Sequence, residues 1–114
     1  MDICVVLKGG LRTCCSVYPT EFIKDMVEKW FDGVCDSKVI DVDRGEEWKN
    51  DKIAKLAIEK FGDASYPMVY INGYLVAIGA IPDRDALVTM IKSGNIVPVT
   101  ERDIIEAAKN FNSA

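Results

Sequence analysis

An α/β fold of order β-α-β-α-β-β-α, with an additional C-terminal helix, is what this 114-residue sequence predicts. Three observations predict it. Ile3-Cys4-Val5-Val6-Leu7 is a nearly continuous apolar run, the pattern of a central strand covered on both faces. Two stretches with apolar residues at helical spacing follow, separated by a second short strand. After them come two strands joined by Asn72-Gly73, then Gly79 and a further amphipathic stretch.

The elements can be justified in order. Lys8 to Thr13 reads as a glycine-bearing loop. From Pro19 onward Phe22, Ile23, Met26, Val27, Trp30 and Phe31 make one wide stripe, and Gly33 stops that helix. Lys38 to Val42 is the second strand, and Asp43-Arg44-Gly45 turns the chain. Asp41 and Asp43 read as turn and helix-entry residues rather than as an acid–base pair. Ile53, Leu56, Ala57 and Phe61 form the second stripe, closed by Gly62. Met68 to Ile71 and Tyr74 to Ile78 make the hairpin, whose Asn-Gly turn takes positive φ at both positions. Pro82 is expected at the first position of the third helix, with Ala86, Leu87, Met90 and Ile91 as its stripe. Right-handed crossovers leave nearly one topology for this order.

Residues 1–94 are thus expected to form the main domain and 95–114 a helical extension. In the extension Thr100 is the expected N-cap, with Asp103 in the capping-box position. Ile104, Ile105, Ala108 and Phe111 share a face that must be buried on this domain or at a homodimer interface. Trp30 and Tyr70 read as packing residues, and Trp48 as an exposed aromatic.

Composition narrows the function. An apolar fraction of 49% supports a core without disulfide staples, and the four cysteines are not spaced as a disulfide framework. The start Met1-Asp2-Ile3 lacks a basic leader, and no stretch reaches the length of a membrane span, so the expectation is cytoplasmic. With 14 basic and 18 acidic residues the charge is −4 and no basic patch stands out, which argues against nucleic acid. Histidine is absent, which removes Cys-His catalysis and His-ligated zinc. No cofactor or metal is expected.

Tyr66-Pro67 before a strand, Gly79-Ala80 ahead of the last core helix, and the order of elements resemble the thioredoxin-like superfamily over about residues 2 to 93. The spacing Cys14-Cys15-x-x-x-Pro19-Thr20 is most similar to small bacterial thioredoxin-like proteins of the YuzD-like group, whose function is unassigned. In that register Cys15 takes the second position of a Cys-x-x-Cys motif and Arg12 the first. The adjacent pair also resembles ArsD, a thioredoxin-like arsenical-resistance family with Cys-Cys after its first strand and a third cysteine beyond. Here Ser16, Val17, Tyr18 and Thr20 offer no third thiol. The resemblance implies a cis Tyr66-Pro67 bond facing Cys14 and Cys15, a protein or small-thiol substrate, and Arg12, Tyr66 and Pro67 as substrate-binding residues.

Read by their own chemistry, Cys14 and Cys15 are the candidate catalytic residues if they open the first helix. A thiol there is acidified by free amides and the helix dipole. A bridge between adjacent cysteines is strained, because Cα atoms across a trans peptide lie roughly 3.8 Å apart and disulfides usually want about 4.4 Å or more. Three readings stay open: thiol–disulfide exchange, a non-catalytic protein-interaction module, and soft-metal or arsenite capture with a further thiol. Cys4 and Cys35 read as structural.

Overall fold

The structure, a computed structural model, describes residues 2–12, 15–45 and 51–112; for 111 and 112 the backbone alone is described. Cys14 and Trp48 lie outside the described residues.

The chain runs β1 (Asp2–Leu7), β2 (Leu11–Arg12), β3 (Val17–Tyr18), α1 (Thr20–Phe31), β4 (Asp36–Asp41), a 3-10 turn (Val42–Arg44), α2 (Lys52–Phe61), a second 3-10 turn (Gly62–Ser65), β5 (Met68–Ile71), β6 (Tyr74–Ile78), α3 (Arg84–Ser93) and α4 (Glu101–Asn112). A four-stranded mixed sheet has the order β4-β1-β5-β6. β1 runs parallel to β4, with Leu7 beside Asp41, and antiparallel to β5, with Val6 beside Met68. β5 and β6 form the hairpin, where Asn72 and Gly73 take φ of 52° and 83°, the conformation that an Asn-Gly turn supplies at low cost. The expected alternation of strands and helices is therefore present.

Burial explains why β1 is apolar throughout. Ile3, Val5 and Leu7 face Ile23, Val27 and Phe31 of α1 and Leu87 and Ile91 of α3. Val6 faces the other way, with Ala54 of α2, Met68, Tyr70 and Leu75. Cys4 is half-buried on that second face and Cys35 half-buried beside the first, and burial raises both thiol pKa values. Cys35 precedes the strand end where Asp36 pairs with Asp2, opposite to the end from which the chain leaves β1.

The C-terminal extension is a helix with the expected reciprocal cap. The Asp103 amide donates to Thr100 Oγ1 at 3.2 Å and the Thr100 amide to Asp103 Oδ2 at 3.0 Å. Ile104 and Ala108 are buried within this chain, and Lys52 of α2 pairs with Glu101 at 3.0 Å. Two of the stripe's residues, Ile104 and Ala108, are thereby covered by this chain, while Ile105 of the same expected stripe is exposed.

Two details differ from the sequence reading. Pro82 precedes α3 rather than opening it, because Asp83 remains extended and caps the helix by position. Arg84 then donates to the Trp30 carbonyl at the end of α1, tying the two helices. The stretch from Lys8 to Thr13 is only partly a loop, since β2 and β3 pair antiparallel and form a small arm, Leu11 beside Tyr18 and Arg12 beside Val17. The chain enters the arm at Gly10, whose φ is +80° and where a Cβ would collide with the Tyr18 carbonyl oxygen.

Gly10→Ala is accordingly expected to destabilise the protein by about 2 kcal/mol or more in urea unfolding, through positive φ and backbone collision together. A change below about 0.5 kcal/mol would contradict this account of the arm.

Candidate functional site

The site sits where β1 ends. Antiparallel pairing of Val6 with Met68 puts Pro67 beside that end, and the Tyr66-Pro67 peptide is cis. Parallel pairing of Leu7 with Asp41 puts the turn after β4 on the other side. Between them lies a pocket of about 430 Å³ bordered by Lys8, Gly10, Arg12, Asp43, Asp63, Ala64, Tyr66, Pro67 and Gly79.

One buried carboxylate organises this end of the sheet. Asp41 is only 2% exposed. Its Oδ1 accepts from the Gly9 amide at 3.0 Å and the Asp43 amide at 2.9 Å. Its Oδ2 accepts from the Gly10 amide at 2.9 Å and from the Thr20 hydroxyl. Burial alone would raise the Asp41 pKa, but the Thr20 hydroxyl and three amides favour the anion, and the result is lowered to about 2. The β1 loop, the first residue of α1 and the turn after β4 are thus held by one side chain.

Around it the charges are arranged in pairs and singles. Lys8 Nζ meets Asp43 Oδ1 at 2.8 Å, and this hydrogen bond raises the Lys8 pKa. Glu21 at the start of α1 is paired with Arg44; its pKa is lowered by its own backbone amide and then by Arg44. Across the pocket, burial raises the Tyr66 hydroxyl pKa, with Asp63 and Asp43 adding to the effect and Lys8 opposing it.

The wall opposite the arm is rigidly bonded. The Gly79 amide donates to both Pro67 O, at 2.9 Å, and Ser65 O, at 3.0 Å. Ser65, fully buried, donates its hydroxyl to Ala57 O at 2.8 Å. The Tyr66 amide donates to Asp63 O at 3.2 Å, so this amide is engaged within the chain.

Arg12, Tyr66 and Pro67 therefore border one pocket. Cys15 does not open the first helix. α1 starts at Thr20, after Pro19, and Cys15 is an exposed residue of the segment linking β2 to β3. In sequence, the strand β3 and Pro19 lie between this residue and the first residue of α1. Cys14 lies outside the described residues. Among the described residues no group of three or more Cys, Asp or Glu side chains is placed to hold a metal ion. None of the described helices is long and apolar enough to cross a membrane.

Sequence reasoning missed Asp41, Lys8, Asp43 and Asp63. A signal existed for the first three. With β1 and β4 paired in parallel, Lys8-Gly9-Gly10 and Asp41-Val42-Asp43 leave the sheet side by side. Asp63 carries no comparable signal, since its position depends on the 3-10 turn after α2. Comparison of the chain with protein-family models, with curated proteins and with solved structures finds no match.

A group whose folded pKa lies below its unfolded value stabilises the protein above the unfolded value and loses that contribution as pH falls. For Asp41 the window runs from its ordinary 3.8 down to about 2. Wild-type stability is expected to decline across this window. Asp41→Ala is expected to be less stable by about 3 kcal/mol at neutral pH and to show a flatter decline. Equal slopes in urea titrations at several pH values would contradict this.

Proposed function

We propose that this chain is a thioredoxin-like domain that binds a protein or small-thiol partner in the pocket beside Pro67 and exchanges thiol for disulfide through the Cys14–Cys15 pair. The observation that carries the reading is the position of that pocket. Its border includes Gly10 and Arg12, the root of the arm that bears Cys15, and Tyr66-Pro67 at the head of β5. The strand order β4-β1-β5-β6, with β1 and β4 parallel and β5 and β6 antiparallel, supports the fold assignment.

In this reading a thiolate of the pair attacks one sulfur of a partner disulfide. A mixed disulfide forms and the other partner sulfur leaves as a thiolate. Resolution by the adjacent cysteine would require a strained vicinal bridge, so an external thiol completes the exchange. Arg12 and Lys8 favour an anionic partner segment at the pocket, and Asp63 a donor. A reducing, cytoplasmic setting belongs to the same reading, in which the half-buried Cys4 and Cys35 remain thiols.

A second reading is favoured by one observation. Cys15 lies in the segment between β2 and β3 and is not the residue that opens α1. The domain would then be a non-catalytic module that binds its partner through the pocket alone.

Reduction of glutathione disulfide, with excess small thiol as reductant, separates the two. The exchange reading predicts turnover by the wild type and loss of at least about tenfold in Cys14→Ser/Cys15→Ser at unchanged stability. Tyr66→Ala is expected to raise KM more than it lowers kcat. Equal rates for the wild type and the double variant would eliminate exchange and leave the binding module.

A further inference from the structure

A second cavity lies beside the candidate site, between the hairpin and the C-terminal extension. It measures about 460 Å³ and is bordered by Phe61 of α2, by Val76 and Ile78 of β6, and by Val99, Ile104 and Ala107 of the extension. The extension forms this cleft. The Val99 amide donates to the Leu75 carbonyl at 2.8 Å and holds the segment before α4 against the edge strand, while the buried Ile104 and Ala108 seat the helix. Among the described residues Asp103 is the one charged residue on its border, so the cleft suits an apolar group and disfavours an anion.

The two cavities adjoin. Ala64 borders both, and the consecutive residues Gly79 and Ala80 border the first and the second respectively. Gly79 lies so close to Ala64 that a Cβ at position 79 would come 3.1 Å from the Ala64 carbonyl oxygen. The residues at the divide are therefore glycine and alanine, which keeps it low.

We propose that the partner of the pocket beside Pro67 is an extended polypeptide segment that crosses this divide, with one residue in the pocket and a large apolar side chain in the cleft under α4. This rests on the reading of that pocket as the partner site, and it selects a protein over a small thiol. A small thiol fits within the first pocket, of about 430 Å³, and leaves the cleft unfilled. A polypeptide fills both. Lys8, Arg12 and Asp63 then orient the segment by charge, and the cleft adds affinity by taking apolar surface out of water. Burial of one leucine side chain is worth about tenfold or more in affinity. The C-terminal helix is thereby part of the binding surface.

Fluorescence anisotropy with the full chain and two short dye-labelled peptides tests this. Each peptide carries serine in place of a reacting cysteine, so that no disulfide forms. At roughly 3.3 Å per extended residue, adjoining cavities of this size lie about two or three residues apart. One peptide therefore has leucine at the second and third positions on either side of the central serine, and the other has serine there. The leucine peptide is expected to bind at least about tenfold more tightly. Ala107→Glu, at an exposed helical position on the cleft border, is expected to bring the leucine peptide down to the level of the serine peptide, and Tyr66→Ala to weaken both. Equal affinity of the two peptides overturns the proposal, as does leucine-peptide binding that Ala107→Glu leaves unchanged. Binding weakened by Ala107→Glu and untouched by Tyr66→Ala overturns the crossing from one cavity to the other. Turnover of glutathione disulfide by the wild type needs the pocket alone. If it persists while the two peptides bind alike, the crossing fails and the exchange reading stands.

Discussion

A single buried carboxylate holds together the end of the sheet on which the site is built. Asp41 accepts hydrogen bonds from three backbone amides and one hydroxyl, and these belong to three segments that are far apart in sequence. Gly9 and Gly10 come from the exit of β1, Thr20 from the start of α1, and Asp43 from the turn after β4. A carboxylate taken out of water is stable only when its acceptor sites are filled, and here they are. In return the arm's root, the first turn of α1 and the Lys8–Asp43 pair all have fixed positions. The pocket beside Pro67 inherits its shape from that arrangement.

The rest of the site follows from sheet register. Leu7 beside Asp41 and Val6 beside Met68 bring three chain segments to one corner. Gly79 bonds the Pro67 and Ser65 carbonyls and locks the far wall. One wall thus rests on an ionised side chain and the other on backbone hydrogen bonds and the Ser65 hydroxyl.

Much of the architecture was legible in the residues themselves. The apolar run of β1, the stripes of α1 and α2, the Asn72-Gly73 turn and the Thr100–Asp103 cap each express a local preference that agrees with the global packing. What stayed hidden depended on contacts between distant segments. Val17 and Tyr18 form a strand of two residues with both side chains exposed, so no alternation of burial marks them. That strand pushes the start of α1 to Thr20 and takes Cys15 away from the helix end where sequence spacing had placed it. Asp41 looked like an ordinary turn residue because its partners lie 31 and 32 positions upstream, in a loop that only parallel pairing brings near. Arg12, Tyr66 and Pro67 were expected together through the resemblance of the motifs that carry them, and they border one pocket.

The ionisation of Asp41 can be followed directly. The carboxyl carbon resonance of selectively labelled protein, recorded against pH while the fold is intact, reports that one group. A midpoint near 2 is the result expected of a carboxylate held by four donors. A midpoint near the ordinary 3.8 would mean that those donors do not grip it, and the arm, the helix start and the pocket would lose their common anchor.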